Sequence, residues 1–382
     1  MATKQTIRYG IIGCGSMGLE HIENLKALDG AEITAIADPH PGSRALALGL
    51  LDGKADSTQV FERYQDLLKS ELCDAVVIAT PNFTHAEVMR HALPTNAHLL
   101  IEKPLCTTID DCADLVERAE GRKAIVWVAQ EYRYMPPVAE LIRMAHGGEI
   151  GRIQQVSMRE HREPFYPKVN DWNRFSVNTG GTLVEKCCHY FNLMDLILQE
   201  QPLKVFASGA QRVNHFDERY EGPNGQTVPD ILDSAFVIVE YPSGARAMLD
   251  LCMFAENSLD NEHLVAVGDE GKLESFLPSL QLRHSRRADW GVRKVWGQDF
   301  GTGTGRGVSV RRVWDANIRY AGHHFGASYI EHQRFAHAIR HGLPAEISLE
   351  EGLRSVATGV AAHRSIETGL PVLLADVLPA GF

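Results

Sequence analysis

The chain has 382 residues, 44% hydrophobic and 23% charged, which is enough apolar material for two packed domains without disulfide or metal staples. Lysine and arginine number 38 against 49 aspartate and glutamate, a net charge of −11 that disfavours a general nucleic-acid binder. The apolar runs are too short to span a bilayer, and seven scattered cysteines, an odd number, fit free thiols in a reducing cytoplasm.

Ile7 to Ile12 reads as a buried strand that ends in Gly13-Cys14-Gly15-Ser16-Met17-Gly18. Gly10, Gly13, Gly15 and Gly18 interrupt this region, so no signal peptide is expected there. Met17, Ile22, Leu25 and Leu28 fall on one helical face, and Glu32 to Ala37 is a second strand ending at Asp38. Strand, glycine turn, helix and strand in that order are the context that the G-x-G-x-x-G fingerprint needs. Gly13 would permit the tight turn, Gly15 the approach of a pyrophosphate, and Gly18 the close packing of helix on strand. Asp38 is placed to accept both ribose hydroxyls and to repel a 2′-phosphate, which predicts NAD over NADP. Arg44, six residues on, could instead meet that phosphate.

Further strand–helix alternation follows: Asp74 to Thr80, Thr84 to Leu93, His98 to Ile101, a helix from Thr108 to Glu120 capped by Thr108, and Ala124 to Ala129. This predicts an α/β fold with a doubly wound parallel sheet, whose ligands sit at the carboxyl ends of the strands. Thr80, Asn82, Glu102 and Lys103 fall at those ends.

After Met135-Pro136-Pro137 the pattern changes, which divides the chain into residues 1–134 and 135–382. A helix from Val138 to Ala145 precedes strand-like stretches at Ile153 to Arg159, Leu203 to Gln211, Ile231 to Tyr241, Ala245 to Phe254 and His263 to Val267. Their alternation predicts an open, mostly antiparallel sheet. In Gly180-Gly181-Thr182-Leu183-Val184-Glu185-Lys186-Cys187-Cys188-His189, the acid and the imidazole lie four apart, on one face if the segment is a single helix. A carboxylate there would orient His189 as a general base. Cys187 and Cys188 have no second Cys/His pair at ligand spacing, so they are expected as core thiols with no metal site. The Arg- and aromatic-rich stretch from Arg159 to Arg174 suits a sugar or an anion.

Residues 281–320 carry nine Lys/Arg and three Asp/Glu, a local +6, and contain GTGTGRG. That glycine run lacks the GK[ST] ending of a phosphate loop. It is expected as a long loop or an arm to another subunit; with His323 and His324 it could also serve an anionic substrate. Amphipathic helices are predicted at Ala327 to His341 and Leu349 to Thr368, with Ser348 capping towards Glu351.

GIIGCGSMG, AIAD, DAVVIATPNFTHAEV and LLIEKPL, in that order, resemble the glucose-fructose oxidoreductase, inositol dehydrogenase and rhizopine catabolism (Gfo/Idh/MocA) family. The resemblance implies an NAD-dependent oxidoreductase acting on a sugar, polyol or sugar acid, working in the cytoplasm as a homodimer or homotetramer through the large sheet. It implies a Lys103–Pro104 bond in cis, with Lys103 between nicotinamide and substrate. It places Gly13, Gly15, Ser16, Met17, Gly18, Asp38, Thr80, Asn82, His85, Glu102 and Lys103 at the cofactor. It makes Lys103, His189 and Glu185 the catalytic group. Arg133, Trp172, Asn173 and Arg174 are implied on the substrate side, with His189. The chain departs from the family at Glu185 and Asn192, where Asp is usual, and at Cys187, where Gly is common. Two alternatives remain open: an NAD-dependent glycoside hydrolase, on an anionic or sulfonated sugar, and a non-catalytic NAD or ligand sensor.

Overall fold

The computed structural model describes residues 6–51, 57–222, 225–289, 292–301 and 307–382. Its first unit runs β1 (Ile7–Ile12), α1 (Ser16–Ala27), β2 (Ala31–Ala37), α2 (Pro41–Leu50), β3 (Gln59–Phe61), α3 (Tyr64–Lys69), β4 (Ala75–Ile78), α4 (His85–Ala92), β5 (His98–Glu102), α5 (Ile109–Ala119) and β6 (Val126–Ala129). The six strands are parallel in the order β3-β2-β1-β4-β5-β6. The order reverses between β1 and β4, and a crevice opens there beyond the strand ends. Strands β4 and β5 are almost wholly buried, as runs such as AVVI and HLLIE require when helices cover both faces. The Thr108 side chain caps α5 by accepting from the Asp111 N–H.

The second unit holds α6 (Pro136–His146), β7 (Ile153–His161), α7 (Ser176–Thr179), α8 (Thr182–Glu185), α9 (Cys188–Leu198), β8 (Lys204–Ala210), β9 (Ser234–Glu240), β10 (Arg246–Cys252), β11 (Glu262–Gly268), β12 (Gly271–Leu277), β13 (Gln281–Arg286), β14 (Val292–Val295), β15 (Gln298–Gly301), β16 (Ser309–Arg312), α10 (Ala327–His341), α11 (Leu349–Thr368) and β17 (Val372–Leu373). Nine of these strands form one sheet, β16-β13-β12-β11-β7-β10-β9-β8-β17, antiparallel throughout except for the parallel β7–β10 pair. Alternate side chains of β8, β9 and β10 face out, among them Phe206, Phe236, Ile238 and Met248.

The basic segment is more ordered than an expected loop. It is built from β13, a β14–β15 hairpin and β16, which returns to pair with β13. Most of the glycine run, residues 302–306, lies outside the described residues. Arg311 pairs with Glu140 and Arg319 with Asp29, so part of the local positive charge is spent on the protein's own acids.

The last two helices return to the first unit. Trp127 donates its indole N–H to Glu331 at 3.2 Å, and the Val128 N–H donates to the Ile347 carbonyl at 3.2 Å. Gln130 donates to the Ser355 hydroxyl at 3.2 Å. Gly352 lets α11 approach: a Cβ there would sit 3.1 Å from Val128 and 3.2 Å from Leu105. Ser348 and Glu351 form the full capping box at the start of α11, worth about 1 kcal/mol.

Candidate active site

The glycine turn is built by contact distances. Gly13 has φ +91°, and a Cβ on it would lie 2.5 Å from the Ala79 carbonyl oxygen. A Cβ on Gly18 would lie 2.0 Å from the Gly13 oxygen, so only glycine lets α1 start this close to the turn. A Cβ on Gly15 would meet nothing within 4 Å, because Gly15 faces open space. That space is the near end of a cavity of about 800 Å³, lined here by Gly13, Gly15, Ser16 and Met17. Free N–H groups of the first turn of α1 and its positive dipole end suit a pyrophosphate.

Asp38 lies further along the cavity wall. Its two carboxylate oxygens accept from the Cys14 and His40 N–H groups, each at 2.7 Å. Two backbone donors fix the carboxylate and leave further lone pairs for ribose hydroxyls. Arg44 donates from Nη1 to the Asp38 and Pro39 carbonyls at 2.6 and 3.0 Å, so this nitrogen is already engaged by the backbone. These residues fit NAD. Asp38→Ala is expected to weaken NAD about tenfold or more, the value of hydrogen bonds to a charged group, and to narrow the preference over NADP. Steady-state KM values for both cofactors would check it.

Thr80 and Asn82 continue the lining to Glu102 and Lys103, and Lys168, Trp172 and Glu185 close the far end. Gly18, His85 and His189 do not line it. His85 is fully buried and bridges the Thr80 and Pro104 carbonyls at 3.0 and 2.8 Å, which ties the β4 end to the loop after β5. The Lys103–Pro104 bond is cis.

Lys103 is the focus of the charge pattern. Its ammonium donates to the Glu185 carbonyl at 3.3 Å. Burial opposes its charge, yet Cys188 and the Glu102, Glu131 and Glu185 carboxyls around it raise it above the usual lysine value. Glu102 is buried against His21, 3.0 Å away, and also accepts from the Lys103 N–H. Burial works against its ionisation, but His21 and Lys103 prevail and hold it below the ordinary carboxylate range.

The expected Glu185–His189 pair does not form. The helix breaks at Lys186 and Cys187, between α8 and α9, and the break turns the two side chains apart. Glu185 faces Lys168 at 3.7 Å, and Lys168 lies 4.7 Å over the Trp172 ring. Burial raises the Glu185 carboxyl and lowers the Lys168 ammonium. The acid beside His189 is Glu131, with 3.6 Å between Oε1 and Nε2. His189 stacks on Tyr132 at 3.9 Å between ring centres, and Tyr132 is anchored by Lys186 at 2.5 Å. Burial, then Lys103 and Lys186, push the His189 imidazole well below its usual value, so it is neutral and able to accept a proton.

Three implied substrate residues serve the framework instead. Arg133 donates to Asn192 at 2.6 Å and to Glu351 at 3.0 Å. Arg174 is held by Glu218 at 2.9 Å and the Phe165 carbonyl at 3.1 Å. Asn173, wholly buried, donates to the Tyr166 carbonyl. Trp172 alone of that group reaches the cavity, presented by left-handed Asn170 and Asp171 (φ 58° and 49°), residue types that tolerate that turn. His324 packs against Glu20 and Glu131 rather than an anion site. Sequence reasoning missed Glu131 and Lys168, although Lys168 sits inside the Arg159 to Arg174 stretch it had singled out.

The neutral groups predict a stability profile. Burial holds His324 down to about 3 and His363 to about 4, and also lowers His189 and His332. Unfolded imidazoles take up protons below about pH 6.5 that the folded chain refuses, so acid destabilises. Burial raises Glu131 to about 8 and Asp195 and Glu262 to about 7. Their unfolded forms ionise above about pH 4.5, so rising pH also destabilises. The two effects oppose each other between those limits. Tm is expected to be flat there, to fall below about pH 4.5 and to fall again from about pH 6.5 to 8, readable by calorimetry.

A parallel 3-2-1-4-5-6 sheet, a glycine cradle, Asp38 on the cavity wall and a lysine at the cavity's far end define an NAD-binding oxidoreductase with an α/β second domain. Residues 7–130 match the oxidoreductase family, NAD-binding Rossmann fold, and residues 142–374 match its C-terminal alpha/beta domain. The chain belongs to the Gfo/Idh/MocA family. It is 25% identical over 375 residues to myo-inositol 2-dehydrogenase of Thermotoga maritima, covering 97% of this chain and all of the relative. It is 24% identical to the NAD(+) scyllo-inositol 2-dehydrogenase of Bacillus subtilis, covering 96% of each. Among solved structures, levoglucosan dehydrogenase in complex with NADH and levoglucosan superposes with a TM-score of 0.79 at 19% identity, covering 97% of this chain and all of that one. Among the described residues no helix is long and apolar enough to cross a membrane.

Proposed function

We propose that the protein oxidises a secondary hydroxyl of an inositol-like polyol or a sugar, passing hydride to NAD. The observation that carries this reading is the single cavity running from the glycine cradle to the Lys103 ammonium, with Trp172 and Lys168 beyond it. The full-length likeness to two inositol dehydrogenases supports the substrate class. Bound NAD supplies the hydride acceptor. Lys103 holds the reacting hydroxyl and stabilises the negative charge that develops on its oxygen. Neutral His189 takes the hydroxyl proton, oriented by Tyr132 and Glu131 in place of Glu185. Trp172 offers an aromatic face to ring C–H groups, while Lys168 and Glu185 bind neighbouring hydroxyls. The open apolar face of β8, β9 and β10 supports a homo-oligomer, and the free thiols a cytoplasmic setting.

The test is a panel of inositols, aldoses, sugar acids and glycosides with NAD, followed at once for NADH and for released aglycone. Stoichiometric NADH and ketone are expected. Aglycone release without net NADH would replace this reading with redox-neutral glycoside cleavage, and no turnover of any compound would sink it.

A further inference from the structure

We propose that Glu131, His324 and Glu20 form a proton exit from His189 to His323 at the surface, an inference that rests on the oxidation proposed above. Oxidising a secondary alcohol breaks one C–H and one O–H bond and forms C=O. The hydride goes to NAD, and the proton goes to His189. His189 is 1% exposed, so it cannot shed that proton to water directly. Glu131 Oε1 stands 3.6 Å from His189 Nε2 and 3.5 Å from His324 Nδ1. The His324 side chain is 20% exposed, and its Nδ1 also lies 3.8 Å from Glu20 Oε1. The other Glu20 oxygen is 3.8 Å from Nε2 of His323, whose side chain is 78% exposed. These groups therefore lead stepwise from the buried imidazole to solvent.

The spacing favours transfer over locking. A fixed buried pair in the same region, His21 with Glu102, closes to 3.0 Å. The relay contacts are each 0.5–0.8 Å longer, a gap that small side-chain rotations or one bridging water close. Both Glu131 oxygens, Glu20 Oε2 and His324 Nδ1 are buried with no hydrogen-bond partner, so nothing competes for them. Glu131 is faced by Glu102 and Lys103 from the β5 end, Glu20 from α1, Cys188 and His189 from α9, and Glu331 from α10. In this setting burial keeps Glu131 protonated near neutral pH and keeps both imidazoles neutral. Glu131 meets both neighbours at Oε1 and His324 meets both at Nδ1, so the proton on Glu131 Oε1 passes to His324 Nδ1 and on to Glu20 Oε1, and Glu131 Oε1 is then refilled from His189 Nε2.

The test compares wild type, Glu131→Gln and His324→Ala as full-length holoenzymes, with myo-inositol as the first probe from the panel. Glu131→Gln should lower kcat about 10–100-fold with KM values within about twofold, and should enlarge the solvent deuterium effect on kcat. His324→Ala should do the same and regain rate with added imidazole. Wild-type kcat in Glu131→Gln, or loss confined to KM and Tm, would overturn the relay. If wild type oxidises nothing in the panel, the functional reading falls instead. The relay is then judged without turnover, by infrared pH titration of the NAD-loaded protein. A protonated-carboxyl band that persists near neutral pH, disappears in Glu131→Gln and shifts in His324→Ala supports it; no such band overturns it.

Discussion

Lys103→Met is expected to lower kcat about 10²–10³-fold, the usual loss when one preorganised stabiliser of a developing oxyanion is removed. Methionine nearly matches the lysine stem, so the cavity keeps its shape. The adenosine and pyrophosphate contacts lie at its other end, at Asp38 and the glycine turn. NAD affinity should therefore change by less than about threefold, because those contacts carry most of the binding. The lysine also compensates Glu102, Glu131 and Glu185, and its removal leaves buried carboxyls without a counter-charge. Their response is to retain protons, and His189 also loses a charge that disfavours its protonation, so the pH dependence of the residual activity should move towards higher pH. Equal turnover by Lys103→Met and wild type would remove this residue from the chemistry.

Gly18→Ala and Gly15→Ala should fail in different ways. At Gly18 the new methyl would sit 2.0 Å from the Gly13 carbonyl oxygen, so α1 must back away from the turn. Such overpacking costs about 1–3 kcal/mol. For a chain of this size, at about 2.1 cal/mol/K of unfolding entropy per residue, that is a fall of roughly 1–4 °C in Tm. The helix N-terminus moves with it, so NAD binding is lost as well. At Gly15 the methyl meets no protein atom within 4 Å. Apo stability should stay as in wild type while the methyl blocks the phosphates. Thermal shift with and without NAD separates the two. A Gly15→Ala variant that binds NAD normally would show that the phosphates do not approach there.

The parallel sheet and its cofactor end were legible because strand runs, glycines and Asp38 are local signals at fixed spacing. The terminal helices were legible for the same reason: their periodicity and the Ser348 cap lie within a few residues. The substrate end was less so. A four-residue spacing suggested that Glu185 serves His189, but a break at Lys186–Cys187 is invisible to spacing. Glu131 meets His189 across 58 positions and His324 across 193, and no pattern in one sequence announces such contacts. Arginines read as substrate ligands were claimed by distant acids, Arg133 by Glu351 and Arg174 by Glu218. The basic segment misled because its glycines and charges suggested a loop, while the β13–β16 pairing depends on partners far apart in the chain.

The return of α10 and α11 onto β6 has a consequence for how the molecule comes to exist. Trp127, Val128 and Gln130 are synthesised long before Glu331, Ile347 and Ser355, the residues that satisfy them. A nascent first half therefore leaves the ribosome with one flank of its sheet uncovered, and it must wait for the end of translation to close. Such late, long-range contacts slow folding and leave the intermediate prone to association. They also make the two halves a single cooperative unit. A fragment ending at residue 134 should be poorly soluble, and the intact chain should melt in one transition rather than two.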